Sequence, residues 1–107
     1  MKNQTTPGCV ILYRWKLKPG LEQQFIECWS KATANLLRLG SLGSRLHKGD
    51  DDIWYGYAQW PSAQARNTAF ANSPDTPVQE GMRAAIAETF PPTFLAPVAD
   101  YLQFPSA

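Results

Sequence analysis

Residues 9–40 read CVILYRWKLKPGLEQQFIECWSKATANLLRLG, and two different apolar periods meet within them. In the first part Cys9, Ile11, Tyr13, Trp15 and Leu17 alternate with Val10, Leu12, Arg14 and Lys16, the period of two that a strand produces. One face is wholly apolar and the other half apolar, which suits a sheet covered by helices on one side and only partly covered on the other. Lys18-Pro19-Gly20 then breaks the strand. Beyond it, Leu21, Phe25, Cys28, Trp29, Ala32, Leu36 and Leu37 form a stripe at helical spacing over residues 21–39. Glu22, Gln23, Glu27, Lys31 and Asn35 lie mostly outside that stripe, and Gly40 stands where a C-terminal cap is expected.

Working outward, residues 42–48 predict a short strand, weakened by Gly43 and Ser44. Gly49-Asp50-Asp51-Asp52 is a turn, and residues 53–60 predict a third strand rich in aromatics, so the two strands form an antiparallel hairpin. Trp60-Pro61-Ser62 ends that strand and leaves Ser62 as N-cap of a helix over residues 63–71. Asn72-Ser73-Pro74-Asp75 interrupts before a further helix over residues 77–89, with Pro77 in its first turn and Val78, Met82, Ala85 and Ile86 on one side. Pro91-Pro92 closes it. Residues 93–104 form the last extended segment, with 98–104 expected to be the better-paired part because Pro97 cannot donate to a ladder. The order is βαββ, a broken helical region, then β, which is the split βαβ arrangement of an α+β protein. A single domain over residues 1–107, with its core at about 9–104, is expected.

Composition removes several function classes. The net charge is +1 and the ten basic residues are scattered, so no cluster offers the electrostatic footprint that nucleic acid needs. The polar stretch from Met1 to Gly8 lacks the apolar core of a signal peptide. The longest apolar run, Cys9 to Tyr13, is far too short to span a bilayer, so a cytoplasmic protein without a membrane partner is expected. Cys9 and Cys28 read as free thiols that behave as small hydrophobes. His47 is the one histidine, which excludes a multi-His metal site, and the adjacent carboxylates of Asp50, Asp51 and Asp52 lack the alternating spacing of a calcium loop; no metal is expected. Four Trp, four Tyr and five Phe remain to be placed, and rings in such number line a pocket or an interface as well as a core.

Several stretches together resemble the antibiotic biosynthesis monooxygenase family, a branch of the dimeric α/β-barrel group. They are the first strand ending in Lys18-Pro19-Gly20, the helix beginning Leu21-Glu22-Gln23-Gln24-Phe25, the hairpin segment Gly43-Ser44-Arg45-Leu46-His47, and the third strand ending Trp60-Pro61-Ser62. The resemblance implies a ferredoxin-like protomer: a four-stranded antiparallel sheet with helices on one face, whose sheet packs on that of a second copy to form a barrel. It also implies a pocket between sheet and helices. Members include oxygenases that oxidise polycyclic phenols without metal or flavin, and haem-degrading enzymes. Against the haem-degrading pattern of a first-strand Asn, a Trp in the helix after the third strand and a His further along that region, this chain has Tyr13, no Trp within residues 63–71 and no His within residues 62–90. The phenol-oxidising members carry a Trp at the end of the third strand, which Trp60 matches, and an Asn four residues earlier, where this chain has Gly56.

The residues themselves suggest a pocket wall of Tyr13, Trp15, Trp29, Trp54, Trp60 and Met82, with Gly56 and Ala58 leaving space between large rings. His47 is the candidate proton acceptor for a phenol and Arg45 the candidate stabiliser of the resulting anion. The expected function is cofactor-independent, monooxygenase-like oxidation of an aromatic phenol or quinol. The alternative is a non-catalytic dimeric domain that binds a hydrophobic small molecule. A homodimer is expected from the half-apolar outer face of the first strand and from Tyr55 and Tyr57.

Overall fold

The computed structural model describes residues 7–73 and 76–103. Strand β1 (Cys9–Leu17) runs through the middle of an antiparallel sheet, as its double-sided apolar pattern requires. Helix α1 (Glu22–Arg38) follows, then β2 (Gly43–Lys48) and β3 (Trp54–Trp60) as a hairpin, then α2 (Ala63–Ala71), α3 (Pro77–Ala85), β4 (Ile86–Thr89) and β5 (Thr93–Leu95). The sheet order is β2-β3-β1-β4, with β5 also paired to β1. This is the expected α+β, ferredoxin-like architecture.

Local chemistry sets the boundaries. The Ser62 hydroxyl accepts from the Ala65 amide at 3.0 Å and starts α2. Pro77 opens α3, with a reciprocal capping box between Thr76 and Gln79 ahead of it. At the end of α1, Gly40 adopts φ +112°, and the amides of Leu39, Gly40 and Ser41 fold back onto the carbonyls of Leu36 and Leu37. The hairpin turn closes through the Gly49 amide on the Ile53 carbonyl at 2.7 Å. Asp51 fastens it, accepting from the Ile53 amide at 3.0 Å and from the Tyr55 hydroxyl at 2.7 Å. Those two hydrogen bonds hold the Asp51 carboxyl below its ordinary range, and the same contact raises Tyr55.

The C-terminal third departs from the sequence expectation in two ways. The helix expected over residues 77–89 ends at Ala85, and Ile86–Thr89 is strand β4. No Gly or Pro marks that switch. It is made by pairing, since Leu17 lies opposite Ile86, Lys16 opposite Glu88 and Trp15 opposite Thr89, and the Lys18 amide donates to the Ala85 carbonyl at 2.9 Å. The second departure concerns the last strand. Pairing falls on Thr93–Leu95 opposite Leu12, Ile11 and Val10, whereas residues 98–103 carry no strand and Phe104 lies outside the described residues. β4 and β5 line the same edge of β1 and are joined there by the Phe90 amide, which donates to the Arg14 carbonyl at 3.1 Å. They amount to one edge strand interrupted at Pro91-Pro92, and the expected four strands become five because residues 86–89, expected as helix, form β4.

Two buried clusters lie between sheet and helices. One gathers Cys9, Ile11, Ala58, Trp60 and Ala69; the other gathers Trp15, Phe25 and Ala85. Tyr13 packs against both. Of the apolar stripe of α1 only Phe25 is fully buried, while Trp29, Ala32 and Leu36 are half-buried and Leu37, counted inward by the spacing, is exposed.

Candidate functional site

The register decides which side chains can meet. Across β1 and β3, Cys9 pairs with Trp60, Ile11 with Ala58, Tyr13 with Gly56 and Trp15 with Trp54, so these eight residues share the helix-facing side. Across β2 and β3, Ser44 pairs with Ala58 and Leu46 with Gly56 on that same side. Arg45 pairs with Tyr57 and His47 with Tyr55, which puts both on the opposite side of the sheet.

A hollow of about 240 Å³ opens between the two buried clusters on the helix-facing side. From the sheet it is walled by Tyr13, Trp15, Ala58 and Trp60, and from the helices by Trp29 and Met82, with Leu36 and Phe70 completing the apolar surface. Five of the six expected wall residues thus come together. The rings hold one another in place. Tyr13 and Trp15 stack at 5.9 Å with 12° between planes, Phe25 meets Trp15 edge-on at 5.1 Å, and Phe70 meets Trp60 at 6.3 Å and 71°. Trp60 is buried, so the position that matches the phenol-oxidising pattern stands at the floor of the hollow.

Three expected site residues lie elsewhere. Trp54 is on the correct face but sits beyond the wall, edge-on to Phe25 at 6.4 Å, beside a shallow groove with Ile26, Ser30 and Leu46. His47 and Arg45 are exposed on the outer face, beside Tyr57, Gln59 and Leu102. The sheet separates them from the hollow within one chain. The reason is parity: the turn fixes His47 opposite Tyr55, and side chains alternate from there. The space expected over Gly56 is also partly taken, because a Cβ there would lie 2.9 Å from Cη2 of Trp15. On the outer face Arg14 lies over Phe90 at 5.5 Å and donates to the Pro91 carbonyl at 3.4 Å. Among the described residues no three His, Cys, Asp or Glu side chains converge as metal ligands, and no helix is long and apolar enough to cross a membrane.

Tyr13, with Thr33 and Ser44, is among the polar residues that line the hollow. Its hydroxyl accepts from Nε and NH2 of Arg66, at 3.2 and 3.1 Å. Burial pushes the Tyr13 phenol above its ordinary value, and the Arg66 contact draws it partly back. Arg66 went unmarked in the sequence because α2 is short and weakly patterned, with only Ala69 fully buried. Its guanidinium is clasped between rings, 4.1 Å from Phe70 and 5.4 Å from Phe94.

No protein-family model matches this chain, and no curated protein does. Solved structures do. The chain is similar to SnoaB, a cofactor-independent oxygenase from Streptomyces nogalater, at 15% identity and a TM-score of 0.75, covering 92% of this chain and 100% of that one. It is similar to a monooxygenase from the gene ActVA-Orf6 of Streptomyces coelicolor, solved with nanaomycin D, at 22% identity and a TM-score of 0.70, covering 92% and 94%. A Bordetella bronchiseptica protein provisionally named an antibiotic biosynthesis monooxygenase matches at 17% identity and a TM-score of 0.75, covering 88% and 100%. At these identities the likeness establishes a shared fold, that of antibiotic biosynthesis monooxygenase structures, over nearly the whole chain.

Proposed function

We propose that this protein is a cytoplasmic, dimeric, cofactor-independent monooxygenase-like enzyme that takes a flat phenolic or quinol molecule into the ring-walled hollow. The observation that carries the reading is the hollow itself, lined almost wholly by aromatic and aliphatic side chains in a fold shared with oxygenases. Its volume is below the roughly 300–1,000 Å³ of drug-sized sites, which favours a small, planar occupant. The protein's part is to hold an electron-rich ring and oxygen together away from water, while the substrate supplies the electrons. With 1-naphthol as probe the balance is complete: one oxygen atom enters the ring carbon that becomes a carbonyl, the other leaves as water, and the product is 1,4-naphthoquinone.

The wall offers no histidine, carboxylate or lysine to take the phenol proton. The phenolate therefore enters from solvent, and Tyr13, Thr33 and Ser44 are polar residues it can meet. The same observation favours a second reading, a domain that binds an aromatic molecule without turning it over. Incubation of 1-naphthol with the protein under ¹⁸O₂ separates the two. Naphthoquinone carrying one heavy oxygen, formed faster than without protein and absent under argon, is expected. Binding with no labelled product supports the second reading, and product formed under argon removes the first.

A further inference from the structure

The Tyr13 hydroxyl is committed on one side. A phenol oxygen has two acceptor sites and one proton to give, and the Arg66 fork fills the acceptor sites with Nε and NH2. A guanidinium only donates, so it cannot exchange roles with the hydroxyl. It also lies against Phe70 and Phe94, 4.1 and 5.4 Å from their rings, and 6.0 Å from the ring of Tyr13 itself. Among the described residues none accepts the Tyr13 proton. Tyr13 lines the hollow, and Arg66 reaches the hydroxyl from α2 behind that wall.

We infer that Tyr13, positioned by Arg66, is a polar selector of the hollow, donating its O–H to an acceptor oxygen, carbonyl or phenolate, on the bound ring. The inference rests on the reading of the hollow as a binding site. Burial of Tyr13 supports it, since the raised phenol keeps its proton at neutral pH and stays a donor. The positive charge behind the hydroxyl strengthens that donor and favours an anionic oxygen in front of it. Arg66 is a positioning residue: removing it leaves the hydroxyl in place but free to turn, and to accept as well as donate.

Equilibrium dialysis of the full chain against two probes of one shape tests this. Naphthalene has the ring body without an acceptor, and 1,4-naphthoquinone adds two carbonyl oxygens. The wild type is expected to hold the quinone more tightly. Tyr13→Phe should lower quinone affinity about tenfold, the scale of one lost hydrogen bond in a desolvated site, and leave naphthalene within about twofold. Arg66→Met, which keeps an apolar stem against Phe70, should cut the quinone-to-naphthalene ratio roughly threefold or more with naphthalene unchanged. A purely structural role for the pair would weaken both probes together, leave the ratio fixed and overturn the inference. Both probes bound with a ratio unmoved in either variant also overturns it, but spares the hollow. Neither probe bound by the wild type overturns the inference and the binding-site reading together.

Discussion

Gly56 has no side chain, and the indole of Trp15 uses the room. A methyl added there would meet Cη2 at 2.9 Å and Cζ3 at 3.0 Å, on a ring that is buried and backed by the edge of Phe25. The ring's way out is toward the hollow. Gly56→Ala is therefore expected to destabilise the protein by about 1–3 kcal/mol, the usual penalty of overpacking, and to weaken aromatic ligands by narrowing their space. Urea unfolding and ligand dialysis on the same variant check the two halves. A stable variant with unaltered affinity would mean that the indole is loosely seated. Trp60 and Tyr13 were legible as pocket residues because both lie on a period-two face whose members are all apolar. Arg66 was not legible, since its role depends on a hydroxyl fifty-three residues away.

Where α1 and α3 meet, the close approach is made by Gly81, whose added Cβ would lie 2.7 Å from Cys28 Sγ. The Gln24 amide nitrogen donates to the Gly81 carbonyl at 2.8 Å and pins the same point. On helix propensity alone, Gly81→Ala would stabilise α3 by about 1 kcal/mol. Here it should destabilise instead, by about 1–3 kcal/mol, as the helices are forced apart. In a Cys28→Ala background the clash is gone and the gain of about 1 kcal/mol should reappear. Equal effects of Gly81→Ala in both backgrounds, by denaturant unfolding, would show that the thiol does not limit the approach. The elements themselves divide by how locally they are encoded. β1 and α1 carry their own period, and Gly40 and the Ser62 cap mark the end of α1 and the start of α2. β4 follows α3 without a breaker, and its residues become a strand because the edge of β1 is open to them. The face of His47 depended likewise on a turn register that no single residue specifies.

At the scale of the molecule, the outer face of the sheet carries Leu12, Tyr55 and Tyr57, and beyond β5 the chain leaves Val98 at 96%, Tyr101 at 91% and Leu102 at 67% exposure. Surface this apolar and contiguous with a half-covered sheet is what a second copy would bury. Light scattering at micromolar concentration should give twice the chain mass, and Leu12→Glu, which sets a charge in that face, should return it to one. A wild-type monomer would sink the dimer. The split between faces was readable from the alternation in residues 9–17, whereas the course of the C-terminal segment was not, because Val98, Tyr101 and Leu102 pack against no element of the chain that a period could reveal.

The Pro91-Pro92 interruption has a bearing on how such copies can meet. An incoming strand needs amide hydrogens to pair with, and the edge formed by β4 and β5 is interrupted by two residues that have none. Addition of a further strand along that edge is disfavoured there. The two rims of the sheet are thus unequal, since β2 at the opposite edge carries no proline.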